Sequence, residues 1–66
     1  MTIKSVIRLQ NDMVMVFDKS GEQVSEYQGK YDEVRGSILR DATQDTIFAH
    51  GFTDTGKIRQ VAREEW

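Results

Sequence analysis

Apolar and polar residues alternate along the first segment of the chain. Ile3, Ile7 and Leu9 fall on one side of this alternation, and Lys4 and Arg8 fall on the other. Successive side chains of a β-strand point to opposite faces of the sheet, so such alternation is typical of a strand with one buried face. The pattern therefore predicts a half-buried strand that ends at Leu9.

Two more strands are predicted before the middle of the chain. Residues 10–12 are Gln-Asn-Asp, which favours a turn because Asn and Asp accept left-handed backbone. Residues 13–17 are apolar on both faces, which indicates a strand in the middle of a sheet or under a helix. A second turn over residues 18–21 ends at Gly21, where a positive φ costs little. Residues 22–27 are more polar and predict a weaker strand at a sheet edge.

The central part of the chain has helical spacing. Tyr31, Val34 and Ile38 recur at intervals of three and four residues, and Leu39 and Ala42 extend the same stripe. The pattern predicts one amphipathic helix that packs on the sheet.

The start of this helix and one residue inside it are less clearly defined. Asp32, or Gly29 a little earlier, is a suitable first residue. Gly36 lies within the helix and costs about 1 kcal/mol relative to Ala. It either permits close contact with the sheet or simply weakens the helix.

The last third of the chain predicts a strand pair. Residues 46–52 alternate, with Phe48, His50 and Phe52 on one face, and residues 57–62 form the hairpin partner. The order is β-β-β-α-β-β, which predicts one α+β domain over residues 1–66, with a single helix packed on an antiparallel sheet of four or five strands. The predicted core is Ile7, Leu9, Val14, Val16, Phe17, Val34, Ile38, Leu39, Ile47 and Phe48.

Size and composition limit what this domain can do. A chain of 66 residues buries only about 60% of its unfolded surface, so small domains of this kind depend on disulfides, metals or self-association. The sequence has no Cys and a single His, which leaves good packing or self-association. We find no apolar run of about 20 residues and no signal-peptide pattern, and we expect a cytoplasmic protein without a membrane segment. It has the general look of a small bacterial domain, but no motif identifies a family.

One stretch resembles a phosphate-binding loop in its spacing. Gly51, Gly56 and Lys57 match the pattern G-x-x-x-x-G-K. A working loop of this type opens a helix and has Ser or Thr after the Lys, whereas Ile58 stands there and the following residues alternate. We interpret the stretch as a hairpin turn at Gly56 and expect no cofactor.

Catalytic and metal sites are not predicted. His50 is the one side chain that titrates near neutral pH unaided, and it is either a general base or pH sensor, or a structural residue. No nucleophile or orienting carboxylate is tied to it by spacing, and we favour the structural role. A single His with scattered carboxylates does not form a metal-ligand set. We therefore predict that the chain is not an enzyme.

A short basic strip is the sharpest candidate for binding nucleic acid. Lys57, Arg59 and Arg63 alternate along the last strand, with Lys30 or Arg40 expected nearby, and Trp66 follows. Stacking on Phe48, Phe52 and Trp66 would suit single-stranded nucleic acid. The net charge of −2 and the acidic Glu64 and Glu65 argue against it, because phosphate neutralisation usually carries such affinity.

Association with another protein, or with a second copy, is the leading hypothesis. Trp66 is expected to dock either on its own domain or on a partner, since Trp is enriched in interfaces. Residues 13–17 are either core or, at an exposed sheet edge, a strand that pairs with its counterpart in a second chain. The sequence therefore favours a small non-catalytic protein-protein interaction or regulatory module.

Overall fold

A computed structural model describes residues 3–52 and 57–66. One helix packs on a five-stranded sheet, which confirms the predicted α+β class. The helix is α1 (Tyr31–Asp41), and two short 3₁₀ turns cover Ser25–Tyr27 and Arg63–Glu65. The strands are β1 (Ile3–Leu9), β2 (Met13–Asp18), β3 (Gly29–Lys30), β4 (Ile47–Phe52) and β5 (Lys57–Val61), and they lie side by side in the order β3-β2-β1-β4-β5. The predicted turn at Gly56 lies outside the described residues.

The sheet is mixed, and the expectation of a fully antiparallel sheet is wrong. β1 pairs with β2 in antiparallel fashion on one side and with β4 in parallel fashion on the other. Strands that are close in sequence form hairpins, whereas a parallel pair needs a long crossover. α1 is that crossover: it carries the chain back across the sheet, so that β4 runs in the same direction as β1.

The prediction of an edge strand over residues 22–27 is also wrong, because the regular edge strand lies later in the chain. Gln23 forms only an isolated bridge with Phe17, and Ser25–Tyr27 is a 3₁₀ turn. The regular edge strand is Gly29–Lys30, which pairs with the start of β2. The Val24 N–H donates to the Val16 carbonyl at 2.8 Å, so the outer edge of β2 is occupied by its own chain. Pairing of residues 13–17 with a second chain through that edge is therefore not available.

The two predicted turns are confirmed, and the first of them also fixes the start of the helix. Asp12 adopts a φ of 66°, and the Asn11 side-chain oxygen accepts a hydrogen bond from the Met13 N–H at 3.1 Å. The Tyr31 N–H donates to the Asp12 carbonyl at 2.8 Å. α1 therefore begins at Tyr31, one residue before Asp32, with Lys30 at the N-cap position.

The turn after β2 is held by a carboxylate. The Asp18 side chain accepts hydrogen bonds from the Ser20 hydroxyl at 2.7 Å and from the N–H groups of Ser20 and Glu22. These bonds, that of the Ser20 hydroxyl above all, lower the pKa of Asp18. Gly21 completes the turn with a φ of 88°, as predicted.

The core lies between the sheet and the helix, and it differs in part from the predicted one. Val14, Val16, Ile38 and Phe48 are buried as expected, and the predicted Val34 and Leu39 are partly buried against them. The buried residues of this cluster that were not predicted are Ile3, Val6, Val24 and Trp66, and Ala49 is buried on the other face of the sheet. Four predicted core residues, Ile7, Leu9, Phe17 and Ile47, are outside this cluster.

A β-bulge explains the error in β1. Ile3 pairs with Asp18 and Ser5 pairs with Phe17, so Lys4 is an extra residue in the ladder. The bulge shifts the alternation by one residue, so that Ile3 and Val6 both face the helix. Ile7 and Leu9 consequently face the other way. In β2, both faces are apolar. Burial of Val16 in β2 and of Phe48 in β4 places their neighbours Phe17 and Ile47 on that same opposite face.

Gly36 does not approach the sheet. It is exposed, and a Cβ atom built on it would meet no atom within 4 Å. We expect Gly36→Ala to raise the free energy of unfolding by about 0.5–1 kcal/mol, because Ala restricts the unfolded chain without a clash in the helix. In a domain of this size, that gain raises Tm by about 3–6 °C in a thermal melt followed by circular dichroism.

A second glycine provides the matched control. A Cβ atom at Gly21 would also meet nothing within 4 Å, but its φ of 88° disfavours any side chain. Gly21→Ala should therefore lower Tm. A fall in Tm for Gly36→Ala would contradict the helical placement of that residue.

Candidate protein-interaction surface

The sheet has a second face, which we call the open face. The register pairs Ile7 with Met15 and Leu9 with Gly51, and these residues lie on the face of the sheet that points away from the helix. In β1, β2, β4 and β5, the open face comprises Ser5, Ile7, Leu9, Met13, Met15, Phe17, Ile47, Ala49, Gly51, Ile58 and Gln60.

The large side chains of the open face are reached by solvent. Met13 and Ile47 are each 37% exposed, and Ile58 is 63% exposed. The large residues between them are half-buried, and none belongs to the apolar side chains that pack against the core cluster. The helix, which covers the other face, thus leaves this apolar surface without a covering layer among the described residues.

The apolar surface is continuous across the central strands. A Cβ atom at Gly51 would lie 3.1 Å from Ile7 Cγ2, 3.1 Å from Leu9 Cδ2 and 4.0 Å from Ile58 Cγ1. Ile7 and Leu9 therefore lie close to the backbone of β4 at this glycine, and Ile58 approaches it from β5. A side chain at Gly51 would require Ile7 and Leu9 to shift, so the glycine allows these two side chains to lie close to the strand.

None of the open-face residues that the strand register places in β1, β2, β4 and β5 is charged; Lys4, at the bulge of β1, has no partner in that register. The only polar side chains there are those of Ser5 and Gln60. Lys30 of β3 pairs with Met13 and therefore lies on the same side, at the rim of the sheet. Exposed contiguous apolar patches of this kind mark interaction sites in soluble proteins. This arrangement was not predicted from the sequence, although residues 13–17, which are apolar on both faces, were its local signal.

The predicted basic strip is only partly assembled. Lys57 and Arg59 are exposed on β5. Arg63 is turned back onto the domain: its guanidinium lies 5.2 Å from the centre of the Phe48 ring and donates to the Thr43 carbonyl. Lys30 is on the opposite edge of the sheet, and Arg40 pairs with Asp41, which lowers the pKa of that carboxyl. Lys30 and Arg40 therefore do not extend the basic strip.

Trp66 docks on its own domain. It is 3% exposed, and its ring lies 5.1 Å from those of Tyr31 and Phe48. Its indole N–H donates to the Ala49 carbonyl at 3.1 Å. Trp66 and Phe48 are consequently buried and do not offer stacking surfaces to bases, whereas the side chain of Phe52 lies outside the described part of the structure.

A small cavity lies where the parallel strands β1 and β4 end. It measures about 220 Å³ and is lined by Arg8, Leu9, Gln10, Asp12, His50 and Gly51. The Arg8 guanidinium stacks 3.6 Å from the Tyr31 ring centre, pairs with Asp12 at 2.8 Å and donates to the Trp66 carbonyl at 3.3 Å. This arginine thus joins the first turn, the helix and the end of the described chain.

The cavity is a weak candidate for a ligand site. Pockets for small molecules usually measure about 300–1,000 Å³, and this one is smaller. His50 is half-buried and lies between Arg8 and Arg59 in the sheet. In residues 3–52 and 57–66, no three His, Asp or Glu side chains converge as metal ligands. No helix of the described chain has the length and hydrophobicity to cross a bilayer.

Comparison with protein-family models, with curated proteins and with solved structures gives no match for this chain. The candidate surface therefore rests on its geometry and chemistry alone.

Proposed function

We propose that this domain is a non-catalytic protein-protein interaction module and that the open face is its binding surface. The observation that carries the proposal is an exposed apolar sheet face, in which none of the residues placed by the register of β1, β2, β4 and β5 is charged. A sheet face that is exposed to water and binds no partner usually carries polar side chains, as the solvated face of an antiparallel sheet does. An apolar second face stabilises the domain only when another layer covers it.

The proposal can be tested by capture from an extract of the host cell. The immobilised chain is expected to retain one or a few proteins, a second copy included, and Ile47→Asp should release them. Ile47 is 37% exposed on the open face, so the charge remains solvated in the free domain but is desolvated in a complex. Bound proteins would be identified by mass spectrometry.

Gln44→Asp is the matched control, since it introduces the same charge change at an exposed loop position three residues away. It should capture the same proteins as the unaltered chain. Circular dichroism would establish that all three proteins are folded. Capture that is insensitive to Ile47→Asp, or no capture together with a monomeric chain at every concentration, would contradict the proposal.

Nucleic-acid binding through Lys57, Arg59 and Arg63 receives less support. Only Lys57 and Arg59 form an exposed basic pair, while Arg63 and Trp66 are used to hold the domain together. The net charge of −2 also opposes phosphate binding. A cytoplasmic location is part of the main proposal and rests on the composition.

A further inference from the structure

We infer that the outer edge of β5 binds an extended acidic segment of another protein, which adds a further strand to the sheet. The segment carries acidic and apolar side chains in alternation. This inference goes beyond the proposed function, because it assigns a binding role to the edge of the sheet rather than to its open face. It follows from the hydrogen-bonding groups, the charge and the side-chain pattern of β5.

The outer edge of β5 is an open strand edge. β5 is the last strand in the sheet order, with β4 on its inner side. Within the described chain, no backbone hydrogen bond from a turn or loop reaches residues 57–61. About half of the five residues of β5 therefore direct their N–H and C=O groups away from the sheet. The opposite edge is different, because β3 has only two residues and the Val24 N–H bonds to β2.

An extended peptide is the ligand whose backbone matches such an edge. Proteins commonly block their edge strands with Pro, with β-bulges or by shortening the strand. The chain has no Pro, and the register of β4 with β5 runs without a bulge from Phe48–Val61 to Phe52–Lys57. Strand addition to an open edge is an established mode of peptide recognition, in which backbone hydrogen bonds supply affinity and side chains supply specificity.

The charge of β5 selects an acidic segment. Arg59 pairs with His50, and Lys57 and Arg59 lie on the side of the sheet that carries the helix. Both side chains are exposed, and Arg59 forms no ion pair within the described chain. A strand added beside β5 places its own side chains about 4.5–5.5 Å from those of its neighbour. Asp or Glu at alternate positions of that strand would therefore lie next to these two cations.

The same cations disfavour a second copy of the chain as the added strand. Antiparallel pairing of two β5 strands about a two-fold axis, in the register that pairs all five residues, places Arg59 directly opposite Arg59 of the second copy. Like charges directly opposite each other in a sheet are destabilising. The cations thus protect the edge from self-pairing while they attract an acidic strand.

The other side of β5 determines the remaining positions of the segment. Ile58 lies on the open face and is 63% exposed. Residues of the added strand that alternate with its acids lie beside Ile58 and extend the apolar open face by one strand. Burial of Ile58 against an apolar neighbour then contributes to binding. The expected pattern is therefore acidic, apolar, acidic, opposite Lys57, Ile58 and Arg59.

A peptide titration followed by NMR tests the inference. The probe is acetyl-Thr-Glu-Val-Glu-Val-Thr-amide, added at low salt to the ¹⁵N-labelled chain up to about 5 mM so that millimolar binding is detected. We expect saturable shifts of backbone amide signals that are concentrated in residues 57–61. The same peptide with Lys in place of Glu is the charge control and should not bind.

Two N-methylated forms of the Glu peptide test the strand pairing. Each carries methyl groups on one of the two alternating sets of backbone nitrogens, so each keeps all the side chains. One of the two should lose binding, because only one set of N–H groups faces β5 in a ladder. Equal binding of both methylated forms and the parent peptide would overturn strand addition.

A charge reversal tests the role of Arg59. Arg59→Glu should weaken binding of the Glu peptide about twofold to tenfold at low salt, since an exposed ion pair contributes modestly and is here replaced by a repulsion. Lys19→Glu is the matched control, because it makes the same charge change at an exposed turn after β2. It should bind like the unaltered chain, and circular dichroism would verify that both variants are folded.

The remaining outcomes identify the occupant of the edge. Absence of shifts in β5 with the Glu peptide, or equal binding of the Glu and Lys peptides, would overturn the inference. Binding of an oligothymidylate at β5 without binding of the Glu peptide would overturn it in favour of nucleic acid. Ile47→Asp should bind the Glu peptide like the unaltered chain, so that failure of the edge and failure of the open face are distinguished.

Discussion

Replacement of Trp66 by alanine is expected to lower the free energy of unfolding by about 3–5 kcal/mol, the largest effect of any substitution considered for this domain. The indole is 3% exposed and packs edge-on against Tyr31 and at a tilt against Phe48. Its removal leaves a cavity between the helix and β4, and leaves the Ala49 carbonyl without its donor.

The expected loss approaches the whole stability of the domain. At about 0.05–0.15 kcal/mol per residue, a chain of 66 residues has roughly 3–10 kcal/mol of stability. Trp66→Ala should therefore lose at least about a third of the stability of the domain. Urea denaturation followed by far-UV circular dichroism would measure the change without relying on the fluorescence of this residue, which is the single Trp of the chain.

Two further variants separate packing from hydrogen bonding. Trp66→Phe keeps an aromatic ring beside Tyr31 and loses the N–H donor, and it should be of intermediate stability. Ile58→Ala removes an exposed side chain of the open face and should change the free energy of unfolding by less than about 0.5 kcal/mol in the monomer. Equal stability of Trp66→Ala and the unaltered chain would show that the indole is not part of the core.

The helix and its contribution to the core could be predicted because their signals are local. Tyr31, Val34 and Ile38 recur at helical spacing, and a helix needs no distant partner to define which residues share a face. The turn at Gly21 was equally predictable, since its left-handed backbone depends on that residue.

The choice of the buried sheet face could not be predicted from alternation. Met13 to Phe17 is apolar on both sides, so its pattern does not distinguish the core from the open face. In β1, the extra residue Lys4 breaks the alternation, and nothing in the sequence marks the bulge. Ile7 and Leu9 were assigned to the core because regular alternation was assumed through Lys4. The same assumption prevented the prediction of an apolar face on the other side of the sheet.

The direction of β4 and the position of Trp66 depend on contacts between distant parts of the chain. The parallel pairing of β1 with β4 joins residues that are about 40 positions apart, and periodicity within each strand carries no information about it. Trp66 is close to Ala49 through a hydrogen bond across 17 positions. The sequence did not determine whether Trp66 packs on its own domain or on a partner, because a buried Trp and an interfacial Trp have the same local pattern.

Thr46 also joins distant parts of the chain, through a hydrogen bond to Ile3. We expect Thr46→Val to lower the free energy of unfolding by about 2–4 kcal/mol. The Thr46 hydroxyl donates to the Ile3 carbonyl at 2.7 Å and accepts from the Thr43 N–H at 3.0 Å. Thr46 is 8% exposed, and Val has nearly the same shape. The substitution therefore leaves two backbone groups without a partner while packing changes little, and each such group costs about 1–3 kcal/mol.

Thr46→Ser is the matched control because it retains the hydroxyl and loses one methyl group. It should be clearly more stable than Thr46→Val in urea denaturation, although less stable than the unaltered chain. A hydrophobic account of Thr46 predicts the reverse order, since Val preserves the buried methyl group and Ser does not. Greater stability of the Val variant would thus show that the hydroxyl does not join the start of β1 to the segment before β4.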